Sequence, residues 1–220
     1  MYTIKLIAQR CIWSSLLDCR HLRADIAFLL DTSGSVNNQG LKQSADFVRN
    51  IVSHLSISPD HSLVSVLTFA NNVSPRFSLV AHYDQQSLLS AISRLNLKSG
   101  GGTNTHLGLQ YLRETTFAAS NRARNDAAMI AIVITDGNSN DKAKTRNMAR
   151  MLRDIGVNVF AIGVGSSVAM SELNDIASKP NGEHVFRVDN YNALMQITEK
   201  LEKSVCVGRS KSIQYNLWNN

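Results

Sequence analysis

Nowhere among the 220 residues is there an apolar run long enough to cross a membrane, which takes about 20 consecutive apolar residues. Residues 1–18 come nearest, but Gln9 and Arg10 interrupt them, leaving neither a spanning segment nor a signal-peptide core. No internal repeat is visible. Several enzyme signatures are missing too. There is no Gly-x-Ser-x-Gly elbow to present a nucleophilic serine, and no histidine placed to activate one. The triple glycine Gly100, Gly101, Gly102 lacks the Gly-Lys-Ser/Thr ending of a phosphate-binding loop. An aspartic-protease element is absent as well: Ser33 stands between Asp31-Thr32 and Gly34, and no second element supplies the other carboxylate of a proton-sharing pair. Finally, there is no dense basic face. Of the formal charge of +6, residues 1–23 carry +3 and residues 207–220 carry +2, which leaves +1 for residues 24–206. So neutral a body argues against a nucleic-acid surface.

What the chain does have is 44% hydrophobic residues, enough for one sizeable core. Apolar runs alternate with helical patterns, the mark of a parallel sheet covered on both faces. Ile26 to Leu30, Leu63 to Phe69 and Met129 to Thr135 read as buried strands, the last lying centrally beside the first. Val73 to Val80 follows a turn at Asn71 and Asn72, and its Pro75 suits an antiparallel edge strand. Helical spacing joins Leu41, Ala45, Val48, Val52 and Leu55, then Leu88, Leu89, Ile92 and Leu95. A third helix begins near Thr103 and carries Leu107, Tyr111 and Leu112. A fourth uses Met148, Met151, Leu152 and Ile155 and ends at Gly156. A short one spans 171–178, and the last uses Leu194, Ile197, Leu201 and Val205.

The first strand runs out into Asp31, Thr32, Ser33, Gly34 and Ser35. Alternate residues of extended backbone face the same way, so Asp31, Ser33 and Ser35 can converge on one point. One carboxylate and two hydroxyls, with no thiolate or imidazole, suit a hard cation such as magnesium, manganese or calcium. Thr32 and Gly34 point elsewhere. A second apolar strand ends in Asp136, and the glycine-rich turn leads into Thr103. Doubly wound sheets bind ligands beyond the strand C-termini where the strand order reverses, and all these donors fall on that rim. Plainer readings exist: an Asp/Ser turn at residue 31, Thr103 as a helix cap, and Asp136 with Gly137 as an ordinary turn. His106 reads as an exposed helix residue.

In this order, the Asp-x-Ser-x-Ser segment, the Gly-Gly-Gly-Thr-Asn-Thr turn and the strand ending Thr135, Asp136, Gly137 resemble the von Willebrand factor type A domain family and its metal-ion-dependent adhesion site. The resemblance covers roughly residues 24–206 and is nearest in flavour to matrilin and collagen-VI-like extracellular members, where a segment like His184 to Asp189 precedes the final helix. It implies an α/β, Rossmann-like, doubly wound and mostly parallel six-stranded sheet with one antiparallel edge strand and helices on both faces. Asp25 to Leu30 would be its first strand, Val157 to Gly165 its fifth and Glu183 to Val188 its last. It also implies that Asp31, Ser33, Ser35, Thr103 and Asp136 are the metal-site positions. The hydroxyls would ligate directly, and the two carboxylates directly or through water. Two carboxylates balance a divalent cation, magnesium first, with manganese and calcium as alternatives. A coordination position left over would accept an Asp or Glu carboxylate from a protein partner, such as a collagen or another matrix protein. The chain would then be an adhesion domain and not an enzyme. Its rivals are a structural or assembly domain of a matrix polymer and, further off, a metal-assisted hydrolase.

The resemblance divides the chain into an N-terminal segment at 1–23, the domain at 24–206 and a polar tail or linker at 207–220. Cys19 and Cys206 bracket the domain, and topology brings both to the face opposite the strand C-termini. Extracellular relatives carry cysteines at these places, which implies a disulfide and an oxidising, extracellular setting; two unpaired thiols are the alternative. A loop this long, once closed, would disfavour the unfolded chain by roughly 5 kcal/mol. Cys11 is left over.

Overall fold

Strand β1 (Ala24–Asp31) has all eight of its residues buried. A parallel strand covered on both faces needs apolar side chains at odd and even positions alike, and Ile26 to Leu30 provides them. β1 lies at the centre of the computed structural model, which describes residues 22–118, 120, 121, 124 and 126–205. Cys11, Cys19 and Cys206, the tail 207–220 and most of the N-terminal segment lie outside the described residues.

After β1 the chain forms α1 (Asn38–Ser53), β2 (Leu63–Phe69), β3 (Val73–Phe77), α2 (Gln85–Ser93) and α3 (Thr105–Tyr111). There follow β4 (Ala128–Thr135), α4 (Lys142–Asp154), β5 (Asn158–Val164), α5 (Met170–Ile176), the single turn α6 (Asn181–His184) and β6 (Val185–Val188). A 3-10 turn, Tyr191–Ile197, leads into α7, residues 198–205. The sheet order is β3-β2-β1-β4-β5-β6, parallel throughout except for β3 against β2. This is the six-stranded, mostly parallel sheet with an antiparallel edge that the sequence implies, and Pro75 sits on that edge opposite Leu67.

Two half-cores follow from the period-2 alternation of the strands. Ile26, Phe28 and Leu30 face one way, with Ile130, Ile132, Ile134, Phe160 and Ile162, under α1, α2 and α7. Ala27 and Leu29 face the other way, with Val133, Val159 and Ala161, under α3, α4 and α5. Each fully buried Leu, Ile or Phe contributes about 1.5–3 kcal/mol.

Some element ends depart from the sequence reading. β3 stops at Phe77, and Val80 is exposed instead of continuing the strand. Glu183 and His184 belong to α6 and not to β6; His184 Nδ1 donates to the Pro180 carbonyl at 3.0 Å, and its ring packs on Phe160. Ile155 lies past the end of α4 and is exposed, while Met148, Ala149 and Leu152 make apolar contacts from that helix.

The sheet reverses its order between β2 and β4, on either side of β1. Asp31 ends β1, and Asp136 follows directly on the end of β4. Both therefore stand at the C-terminal rim of the switch point.

Candidate metal centre

Asp31 is buried beneath the rim and held by two donors. The Ser33 backbone N–H donates to Oδ1 at 2.8 Å, and the Thr135 hydroxyl donates to Oδ2 at 2.6 Å. Burial pushes its carboxyl above the ordinary aspartate range, the Thr135 and Ser33 donors pull it back, and the nearby Asp136 charge pushes it up again. Among the described residues, no lysine, arginine or histidine forms an ion pair with Asp31 or Asp136.

Ser33 is buried and Ser35 is exposed, so the donors climb from the sheet towards solvent. Their hydroxyl oxygens lie 3.1 Å apart, and Ser35 Oγ donates to Asp136 Oδ1 at 2.6 Å. Thr103 comes to the same place: a Cβ built on Gly137 would stand 3.9 Å from both Ser35 Oγ and Thr103 Oγ1. The structure thus brings all five residues together at one rim. Thr103 is not a helix cap. α3 starts at Thr105, and Asn104 occupies the cap position. Thr32 points away, its hydroxyl bonding the Phe69 carbonyl at 3.1 Å.

Three other loops lock this one. Gly34 N–H donates to the Gly101 carbonyl at 3.0 Å, and Gly100 N–H to the Thr32 carbonyl at 2.9 Å. Gly101 has φ of 81°, a left-handed conformation that favours glycine. The Asn71 side chain accepts from Gly102 N–H at 2.7 Å, while Asn104 donates to the Asn71 carbonyl at 3.0 Å. Asn140 N–H donates to the Thr103 carbonyl at 2.9 Å, and its side chain donates to Asn104 at 3.1 Å. Buried Glu172 accepts from Ser139 N–H at 2.8 Å, fixing the loop that follows Asp136. Sequence reading missed Asn71, Asn104, Asn140 and Glu172. The only trace of the three asparagines is an asparagine in each rim loop, and Glu172, on α5, leaves none.

The donor chemistry fits a hard cation. Two carboxylates and three hydroxyls come together, with no thiolate or imidazole among these five residues.

A family model of the von Willebrand factor type A domain matches residues 25–200. The chain belongs to the von Willebrand factor type A (VWA) family. Human matrilin-1 is 33% identical to this VWA chain over 183 residues, covering 83% of the chain and 36% of matrilin-1. Human integrin alpha-X is 33% identical over 193 residues, which is 86% of the chain and 16% of the integrin. Human collagen alpha-1(XXI) chain is 32% identical over 188 residues, 86% of the chain and 19% of the collagen. The VWA chain spans about a third or less of these relatives. Among solved structures, proximal thread matrix protein 1 of the mussel byssus, with a zinc-occupied MIDAS motif, superposes with a TM-score of 0.78 at 31% identity, covering 86% of this chain and 47% of that one. Manganese-loaded TRAP protein of Plasmodium vivax shares the fold, with a TM-score of 0.67 at 22% identity over 81% of this chain and 73% of its own. No helix among the described residues of the VWA chain is long and apolar enough to cross a membrane.

Proposed function

We propose that this VWA domain works outside the cell as an adhesion module, in which Asp31, Ser33, Ser35, Thr103 and Asp136 hold a divalent cation, magnesium first. Bound there, the cation supplies a Lewis-acidic position that an Asp or Glu carboxylate of a partner protein can fill. The observation that carries this reading is the continuous path Ser33 Oγ, Ser35 Oγ, Asp136 Oδ1, three oxygens from two strand ends at 3.1 and 2.6 Å, beside the buried Asp31 carboxylate. Ser33, Ser35 and Thr103 would offer hydroxyl oxygens; Asp31 and Asp136 would supply the two balancing charges. Matrilin, integrin and collagen relatives make a matrix or cell-surface protein, a collagen among them, the partner class to test. Binding and not turnover is the proposed output. Hydrolysis of generic ester or phosphate substrates that Asp31→Ala abolishes would reverse that assignment.

A disulfide between Cys19 and Cys206 completes the proposal, with the domain taken as residues 24–206. In its support, Leu22 and Val205, the outermost described residues, are both buried in the same half-core. Intact mass before and after reduction tests it.

A structural domain of a matrix polymer is the second reading, favoured by the kinship with collagen alpha-1(XXI). Solid-phase capture on immobilised fibrillar collagen separates the two. Capture in magnesium that chelator and Asp31→Ala both abolish is expected; capture that persists after chelation favours the structural role.

A further inference from the structure

Thr135 is the last residue of β4 and stands beside the end of β1, one step past the Leu30 and Ile134 pair. Its side chain is buried, and its hydroxyl donates to Asp31 Oδ2 at 2.6 Å. The same oxygen lies 3.1 Å from the Gly137 carbonyl and accepts from Gly137 N–H at 3.4 Å. A hydroxyl has one proton to give, and the Asp31 carboxylate is both the nearer acceptor and the charged one, so the proton goes there. One oxygen atom therefore joins the two strand ends. Across the sheet it holds the Asp31 carboxylate, and along its own strand it closes a turn around Asp136, which lies between Thr135 and Gly137.

Shape alone does not call for this hydroxyl. Valine has nearly the same outline, favours strands as threonine does, and would continue the buried apolar run Ile130 to Ile134 that precedes it. What threonine adds is a donor to a buried carboxylate. Ser33 N–H holds Oδ1 of Asp31 and Thr135 holds Oδ2, so both ends of the carboxylate are tied and its plane is fixed. A carboxylate has about four lone-pair sites, and the two that remain are open to a cation or to its bound water. Donors set behind a metal-ligating group in this way hold its orientation, and losing one typically costs roughly 10–100-fold in metal affinity.

We propose that Thr135 is a positioning residue for the cation: its hydroxyl sets the plane of the Asp31 carboxylate and the turn that carries Asp136, and so sets how tightly a divalent ion is held. The proposal rests on the metal reading above. Manganese binding measured by calorimetry on wild type, Thr135→Val, Thr135→Ser and Asp31→Ala, each below its own thermal midpoint in chelator, tests it. Thr135→Val, which keeps the shape and loses the hydroxyl, is expected to bind manganese about 10-fold more weakly. Thr135→Ser, which keeps the hydroxyl and loses the methyl, is expected to match wild type, a rescue that a packing role would not give. Wild-type affinity in Thr135→Val, with Asp31→Ala binding abolished, overturns the positioning role and leaves the metal reading standing. Valine and serine variants weakened alike assign the position to packing and overturn the proposal. A Thr135→Val protein with no cooperative unfolding transition in chelator assigns the hydroxyl to folding and overturns it too. Wild-type protein that binds no manganese removes the metal reading and this inference together.

Discussion

At the scale of single residues, Asp31 stands between opposed pressures. Burial and the Asp136 charge disfavour its ionised form, while the Thr135 and Ser33 donors favour it, and burial wins. A carboxyl whose pKa is higher in the folded chain than in the unfolded one holds its proton more tightly when folded. Its stabilising share is complete below the unfolded value near 4 and is lost as pH rises through the folded value. In chelator, Asp31→Asn, which does not titrate, should therefore exceed wild type in stability at pH 7 by about 0.5–2 kcal/mol, a common size for one stabilising substitution. The gap should close as pH falls towards 4. Urea unfolding of both proteins across that range measures it, and a gap that widens in acid would contradict the burial argument. Asp31, Ser33 and Ser35 were legible because their convergence follows from two-residue periodicity within five residues. Asn71, Asn104 and Asn140 were not, because each acts on a loop set beside it by the fold alone, as Asn71 does on Gly102, 31 positions away.

At the scale of elements, the junction between α1 and the turn before α7 depends on one missing side chain. Within a helix, Gly40→Ala alone would add about 1 kcal/mol of propensity. Here the new methyl would enter the Tyr191 ring, and overpacking of this kind costs about 1–3 kcal/mol. The clash is the larger effect, so Gly40→Ala should lower the unfolding free energy by about 1 kcal/mol. Tyr191→Ala removes the obstacle, so a double-mutant cycle should show strong non-additivity between the two. Additive effects, or a Gly40→Ala protein more stable than wild type, would show that the ring yields freely. Strands buried on both faces, such as β1, β2 and β4, were legible as continuous apolar runs. The start of β6 was not: Glu183 and His184 extend its pattern, but a helical turn claims them through His184's contacts with Pro180 and Phe160.

At the scale of the whole molecule, the sheet carries one charged cluster at each end, and the two should be separable. Opposite the candidate metal centre, fully buried Asp25 pairs with Arg124, whose Nε donates to Asp25 Oδ1 at 3.1 Å. Arg124 Nη2 also donates to the Ala24 carbonyl at 2.8 Å, and Nη1 to the Pro59 carbonyl at 3.1 Å, so one side chain ties the segment before β4 to the start of β1 and the loop before β2. The near-neutral charge count concealed this pair, since a sum of charges does not reveal which two are buried. Arg124→Met would leave Asp25 charged and unpaired in the interior, at a cost of about 3–5 kcal/mol. Adding Asp25→Asn should recover part of that loss. Neither change touches the opposite rim, so the gain from cation should survive in both: at 100 times the dissociation constant, magnesium should add about 2.7 kcal/mol to wild type and variants alike, and chelator should remove it. Denaturant unfolding in magnesium and in chelator reads both quantities from the same samples. A magnesium increment that shrinks in Arg124→Met would mean that the two ends of the sheet communicate, and that the candidate metal centre is held in shape by the far end as well as by the loops around it.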